Sequence, residues 1–251
     1  SSCSFMEGVH TMNHSHPILL SLRTISRKLG VLGTIKGSLG RFRDPSAYEE
    51  KFGSLVMSYI SEGDVIWDVG ANVGHYTRKF AERVGPSGHI VAFEPSPRTF
   101  RMLVESMTDL TNVTCVNCAL ADFDGEADFH AGDDDVNPTN GLAAESIASP
   151  WKTCTVKVQR GISFLERHPE LSPDHIKIDV EGFELEVLEG MKQALAEQSL
   201  RGIYLEVHFG VLAARDRQNS PTRIAAMIKD AGFVSHWADP SHLCGRRNSV
   251  Q

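Results

Sequence analysis

The segment 65–74, VIWDVGANVG, constrains the chain most: an apolar run ends in an acid and a glycine, with a second glycine four residues on. Such a run reads as a strand, the glycines allow a sharp exit, and a helix follows. In an open parallel α/β sheet this junction is where a nucleotide-like cofactor sits. Glu94 closes the next apolar run, HIVAFEP, about twenty residues beyond the turn, where a carboxylate can take both hydroxyls of a ribose. The two features together predict a cofactor pocket.

Beyond Asp44, strand-like and helix-like runs alternate, the order that builds βαβ units and a mostly parallel sheet. Strands are predicted at about 65–70, 89–94, 113–119, 175–180 and 202–208, and helices at about 76–84, 97–108, 162–168, 183–197 and 221–231. Phe52, Leu55, Val56, Tyr59 and Ile60 recur at helical spacing and predict a further helix over 45–60 that covers the sheet. The chain therefore divides into a basic N-terminal extension, 1–44, and one α/β domain, 45–251. Two stretches break the alternation. Between 121 and 160 an acidic run (133–135), NPTNG and TCTVKVQR predict a hairpin-like excursion with a loop, placed to shape a substrate site. Near the C-terminus FVSHWAD reads as a strand and SHLCGRRN as at most a short neighbour.

A net charge of −7 argues against a broad nucleic-acid surface, and no apolar run approaches the ~18 residues of a membrane span. The charge is uneven: 18–43 carries Arg23, Arg27, Lys28, Lys36, Arg41 and Arg43 and no acid. That segment reads as a solvated helix or arm, a membrane-surface or partner contact being its other use. Ile18, Leu19, Leu20 and Leu22 make too short an apolar stretch for a secretory signal. Five cysteines, Cys3, Cys115, Cys118, Cys154 and Cys244, are odd in number and scattered, which favours a reducing compartment and makes cytoplasm the expectation. Cys115 and Cys118 have CxxC spacing, but on a strand they face opposite ways, so zinc is not expected.

The segment 175–191, HIKIDVEGFELEVLEGM, delivers Asp179 to the end of an apolar strand, turns at Gly182 and continues as an amphipathic helix. Joined to DVGANVGHYT at 68–77, FEPSP at 93–97 and ALAD at 119–122, it closely resembles the FkbM family of S-adenosylmethionine-dependent methyltransferases over about 64–240. The resemblance implies a class I methyltransferase fold: a Rossmann-like α/β architecture with a mostly parallel, seven-stranded sheet, helices on both faces and an antiparallel last strand. Few residues remain after Trp237, so that edge is expected to be abbreviated. It further implies that Asp68, Gly70, Ala71, Asn72 and Gly74 form the turn beneath the methionine part of S-adenosylmethionine. Glu94 would hold the ribose, Asp122 would lie by the adenine, and Asp179 and Glu181 would stand near the reacting end. His75 and Tyr76 open the next helix, and either is placed to flank the methionine part, or simply to pack. The turn itself favours this cofactor, because Asn72 occupies the middle-glycine position that a dinucleotide's pyrophosphate requires.

Methyl transfer from a sulfonium is an in-line displacement, so the protein must align acceptor, methyl and sulfur and exclude water. An alcohol acceptor also needs a base. In LEVHF, Glu206 and His208 lie two apart on a predicted strand and so project to one side. His208 is expected as the general base, with Glu206 orienting the substrate or the histidine. Asp179 and Glu206 would be costly to bury unpaired, which marks both as site residues. Lys177 shares Asp179's face and can pair with a carboxylate there, or serve structure alone. Asp179, Glu206 and His208 could instead hold a divalent ion, but nothing in the sequence supplies the other ligands, so no metal is expected. The expected function is S-adenosylmethionine-dependent O-methylation of a hydroxyl on a small molecule or sugar-containing metabolite, oxygen following from the resemblance. The alternatives are an oxidoreductase on the same sheet and a non-catalytic cofactor-binding module that engages a partner through its N-terminal segment.

Overall fold

The computed structural model describes residues 45–131, 141–142 and 152–247. The N-terminal extension, the acidic run 133–135 and residues 137–140 of NPTNG lie outside them. A first helix, α1 (Pro45–Met57), leads into β1 (Val65–Val69), α2 (His75–Val84), β2 (His89–Phe93), α3 (Pro97–Ser106) and β3 (Val113–Val116). The excursion follows as β4 (Ala119–Leu120), β5 (Gly125–Ala131), β6 (Gly141–Leu142) and β7 (Lys152–Gln159). Then come α4 (Gly161–Arg167), β8 (His175–Ile178), α5 (Glu184–Gly190) and β9 (Gly202–Glu206). The described chain ends with α6 (Phe209–Ala214), α7 (Ser220–Asp230), β10 (Val234–Trp237) and β11 (His242–Arg246). Local chemistry sets these starts: at α3, Ser96 Oγ accepts from the Thr99 N–H and Pro97 fills the first turn, where a missing N–H is harmless.

The main sheet has seven strands in the order β3-β2-β1-β8-β9-β11-β10. All neighbours are parallel except β11, which runs antiparallel to both β9 and β10. This is the Rossmann-like methyltransferase order. The direction of winding reverses between β1 and β8, and ligands bind at the carboxyl ends of strands at such a switch point.

Strand alternation decides what reaches that point. Trp67, Val91, Ile176, Ile203, Leu205 and Leu243 share one core with helices α4 to α7. Ile66, Ile90, Tyr204 and Cys244 point the other way, into a second core with Phe52 and Val56 of α1 and Tyr76, Phe80 and Val84 of α2. By the same alternation Asp68, Lys177, Glu206 and His242 fall on the α1/α2 face. Trp67 anchors the opposite face: it is fully buried, meets Phe93 and Phe164 edge-on at 5.1 and 5.3 Å, and donates Nε1–H to the Leu171 carbonyl.

Four expectations change. The last edge is not abbreviated, because β11 pairs with β9 over five residues, His242↔Glu206 to Arg246↔Gly202. The strand predicted over 202–208 stops at Glu206, and His208 instead stands at the N-terminus of α6. The strand over 113–119 stops at Val116; Ala119 and Leu120 leave for a second sheet, β4-β7-β5-β6, built by the excursion. The helix over 183–197 ends at Gly190, where an added Cβ would stand 1.9 Å from the Ala121 carbonyl oxygen. Among the described residues no helix is long and apolar enough to cross a membrane.

Candidate active site

The turn after β1 is built from backbone geometry. Gly70 has φ +80°, Asn72 φ +52° and Gly74 φ +92°. Asparagine is among the few residues with a side chain that adopt this region readily, which is why Asn72 fits where another fold would use glycine. Gly70 and Ala71 both donate N–H to the Phe93 carbonyl at 3.0 Å, tying the turn to the end of β2. Glu94 stands just beyond β2, 7% exposed, its two oxygens accepting from the Asn72 and Ser96 N–H groups at 3.0 and 2.9 Å. Burial pushes its carboxyl up to about 7, against the pull of those two N–H groups.

At the end of β1 the buried Asp68 accepts from Thr77 Oγ1 at 2.6 Å, and its other oxygen lies 3.5 Å from Lys177 Nζ. Lys177 also reaches Asp179 at 3.3 Å and lies 5.0 Å from the centre of the Tyr76 ring. Burial would lower the Lys177 ammonium, but Asp179 and Asp68 outweigh it and leave it raised. Asp179 is held low in turn: burial would raise it, and Lys177 and His208 prevail. Tyr76 is buried in the α1/α2 core as a support beneath Lys177.

Past β8 the chain turns through Glu181 at φ +50° and Gly182 at φ +91°. The left-handed Glu181 carries a cost of ~1–2 kcal/mol and brings its carboxylate to 3.3 Å from His208 Nε2. Asp179 lies 3.6 Å from the same nitrogen. The other ring nitrogen, Nδ1, meets Glu184 Oε1 at 2.6 Å. Glu184, the first residue of α5, is fully buried. Burial would lower the His208 imidazole, but Glu181 and Glu184 outweigh it and raise it well above its usual value. Burial raises Glu181 as well.

Sequence reasoning expected Glu206 beside His208 on one strand face, and that geometry is corrected here. His208 is off the strand and is oriented by Glu184, while Glu206 Oε2 faces His242 Nε2 at 3.7 Å. The three residues still converge: ligand atoms of Asp179, Glu206 and His208 all lie within 4.8 Å of one another, a set that could hold a divalent ion. Lys177 already supplies positive charge at its edge. Asp122 stands apart on an exposed turn beside Gly190. Glu184, Asp239 and His242 were missed. The sequence signal for Glu184 was an acid opening a helix two residues after Gly182; no signal marked the C-terminal pair.

The residues fit a nucleoside cofactor without pyrophosphate. The turn after β1 is tied to the Glu94 carboxylate through the Asn72 N–H, and Asn72 stands where a dinucleotide fold places its middle glycine. Comparison with known proteins agrees. The family model for the methyltransferase FkbM domain matches residues 68–235. The hexuronic acid methyltransferase AglP of Haloferax volcanii is 31% identical over 186 residues, 72% of this chain and 73% of that protein. The 2-O-methyltransferase NoeI of Sinorhizobium fredii is 27% identical over 195 residues, 71% and 79% of the two chains. Among solved structures, Aeropyrum pernix fibrillarin with bound S-adenosylmethionine has 16% identity and a TM-score of 0.44, over 79% of this chain and 74% of that one. On the family match and the extent of shared sequence, the chain belongs to the FkbM family of S-adenosylmethionine-dependent methyltransferases.

Proposed function

We propose that the protein methylates a hydroxyl of a small, sugar-containing acceptor at the cluster formed by Asp179, Glu206 and His208. The observation that carries this reading is their convergence within 4.8 Å at the strand ends beside the Gly70 turn. The names of the two relatives support a sugar-like acceptor and oxygen as its nucleophile. S-adenosylmethionine, when bound, supplies an electrophilic methyl group.

The chain's own residues hold, orient and deprotonate. Gly70, Ala71, Asn72 and Gly74 form the turn on the methionine side with the buried Asp68 beneath it, in place of the direct contact expected of Asp68; Glu94 takes the ribose hydroxyls, and Asp122 lies on the adenine side. Tyr76 acts through Lys177, which fixes Asp179 next to Glu181 at the reacting end. Glu206 anchors the acceptor hydroxyl, since orienting the histidine already falls to Glu184. His208 Nε2 takes the hydroxyl proton, with Glu184 stabilising the imidazolium that results, as in a carboxylate–histidine pair. Acidity of the described domain supports a small molecule over a nucleic acid as acceptor. Cys115, Cys118, Cys154 and Cys244 are free thiols, which supports a cytoplasmic setting.

Calorimetric titration with S-adenosylmethionine and S-adenosylhomocysteine, with NAD as control, tests the cofactor half. Micromolar binding that is lost in Glu94→Ala supports it. Mass spectrometry of methyl glycosides of hexuronic acids and neutral hexoses, incubated with enzyme and donor, tests the acceptor half. A product methylated on nitrogen or carbon would overturn the oxygen assignment.

A further inference from the structure

We propose that His242, held by Asp239, is a positioning residue for Glu206, fixing the carboxylate that anchors the acceptor hydroxyl. The inference deepens the function proposed above and rests on Glu206 facing the acceptor. Both Asp239 and His242 lie beyond residue 235, where the family match ends.

The strand order creates the contact. β11 enters the sheet between β9 and β10, and its first residue, His242, is directly opposite Glu206. Residues opposed on neighbouring strands project to the same side, so the imidazole lies on the site face. Its ring stacks on Phe52 of α1, centroids 4.0 Å apart and planes 24° from parallel. Nδ1 meets Asp239 Oδ2 at 2.7 Å, which leaves Nε2 facing Glu206 Oε2 at 3.7 Å, the distance of an ion pair rather than a hydrogen bond.

A purely structural role accounts for only half of these contacts. Asp239 Oδ1 accepts from the N–H groups of Ser241 and His242 at 2.8 and 3.0 Å, and together with the Ala238 N–H bond to the His242 carbonyl it ties the turn before β11. The Oδ2 contact to the ring adds nothing to the turn's backbone; what it does is fix the ring's tautomer and aim. Burial would lower this imidazole, but Asp239 and Glu206 raise it to about 9, so it carries charge at neutral pH. Glu206 needs that charge. Its acidic neighbours are Asp179 and Glu181, its other cationic neighbours are Lys177 at the end of β8 and His208 before α6, and His242 approaches from the opposite strand. The His242 side chain is buried while that of Glu206 is 30% exposed, so the carboxylate is held from the sheet side and stays open to an acceptor on the other.

The test uses the full chain saturated with S-adenosylmethionine and labelled with ¹⁵N-histidine. Imidazole NMR is expected to show His242 protonated at neutral pH, and Glu206→Gln to lower its titration midpoint by about one unit, the loss of one close opposite charge. If His242 served only the turn, its titration would follow Asp239 and ignore position 206, and that result overturns the proposal. Two substitutions separate the contacts: His242→Asn keeps a donor toward Asp239 but cannot reach Glu206, whereas His242→Gln reaches Glu206. With the methyl glycoside of a hexuronic acid as acceptor, His242→Asn is expected to raise KM for acceptor at least tenfold while donor affinity stays near wild type; loss of the stack on Phe52 lowers the melting temperature in both substitutions and so does not distinguish them. His242→Gln is expected to restore part of that loss. Equal KM values in wild type and His242→Asn overturn the proposal. Failure of the wild type to bind S-adenosylmethionine would instead overturn the function on which it rests, while the same NMR titration on the donor-free chain would still report whether Glu206 and His242 are coupled.

Discussion

A Cβ placed on Gly70 would stand 1.9 Å from the carbonyl oxygen of Asp179, so the turn after β1 and the end of β8 meet backbone to backbone. Substitution of Gly70 therefore acts on both halves of the site. Gly70→Ala is expected to lower S-adenosylmethionine affinity at least a hundredfold and to reduce the melting temperature. Gly63→Ala is the control: its φ is also positive, +86°, but its nearest neighbour is Ser87 Oγ at 3.7 Å, so only the left-handed penalty of ~1–2 kcal/mol applies. Calorimetry and thermal melts on the pair would separate strain from collision. Equal losses in both variants would refute the contact argument.

Glu94 makes donor binding depend on pH near neutrality. With its carboxyl pushed up to about 7, it is protonated below that value, and the ionised form is the better acceptor for ribose hydroxyls. Affinity is expected to fall about tenfold from pH 8 to pH 6, the ratio of ionised fractions across that midpoint. Glu94→Gln should bind more weakly and show a flat profile. The stability sign runs the other way: a carboxyl raised in the folded state favours folding below the usual 4.5 and withdraws that contribution as pH rises through about 7. Calorimetry and denaturant titration across this range check the two signs independently.

Much of the cofactor side was legible because it is local. Gly70, Asn72 and Glu94 are brought together by one strand, one turn and the next strand, so the chain's own order places them. Lys177 and Asp179 were legible by strand alternation for the same reason. The acceptor side depends on pairings that no local pattern encodes. The Glu206↔His242 register exists because β11 inserts between β9 and β10, and nothing in SHLCG announces an insertion. His208 was misplaced because β9 loses its strand geometry after Glu206, where Val207 N–H bonds the Ser241 carbonyl and the chain turns into α6. Glu184 was hidden by composition: an acid at the start of an amphipathic helix ordinarily faces water, and here it is fully buried against His208.

Glu181 and Glu184 hold His208 well above its usual value, so the neutral imidazole that can accept a proton forms only at higher pH than a free histidine would require. The rate of methyl transfer is therefore expected to rise with pH through neutrality and to level off above the folded-state value. Glu184→Gln should move that rise to lower pH while reducing the plateau by ~10²-fold, the lower range for a general base. Stability carries its own sign: a histidine raised in the folded state stabilises fully below about 6.5 and loses that contribution as pH rises through its folded value. A pH profile of kcat with and without the substitution, beside histidine NMR, decides the matter. A profile unmoved by Glu184→Gln would remove His208 as the base.

Lys177 offers a test of how the site stores charge. Its ammonium lies between Asp68 and Asp179 at 3.5 and 3.3 Å, with Asp68 fully buried. Removing one partner of such a group leaves the others desolvated and unpaired, which costs about 3–5 kcal/mol, whereas replacing both charges by neutral groups costs far less. Lys177→Met should accordingly lose about 3–5 kcal/mol of a fold stability of ~5–15 kcal/mol. The double variant Lys177→Met with Asp68→Asn should be more stable than the single one, since the most buried carboxylate is then neutral. Urea denaturation of the two variants and Asp68→Asn closes a double-mutant cycle, in which a coupling of ~2 kcal/mol or more is expected for directly interacting groups. Additive losses would mean that Lys177 acts through packing on Tyr76, 5.0 Å away, and not through the carboxylates.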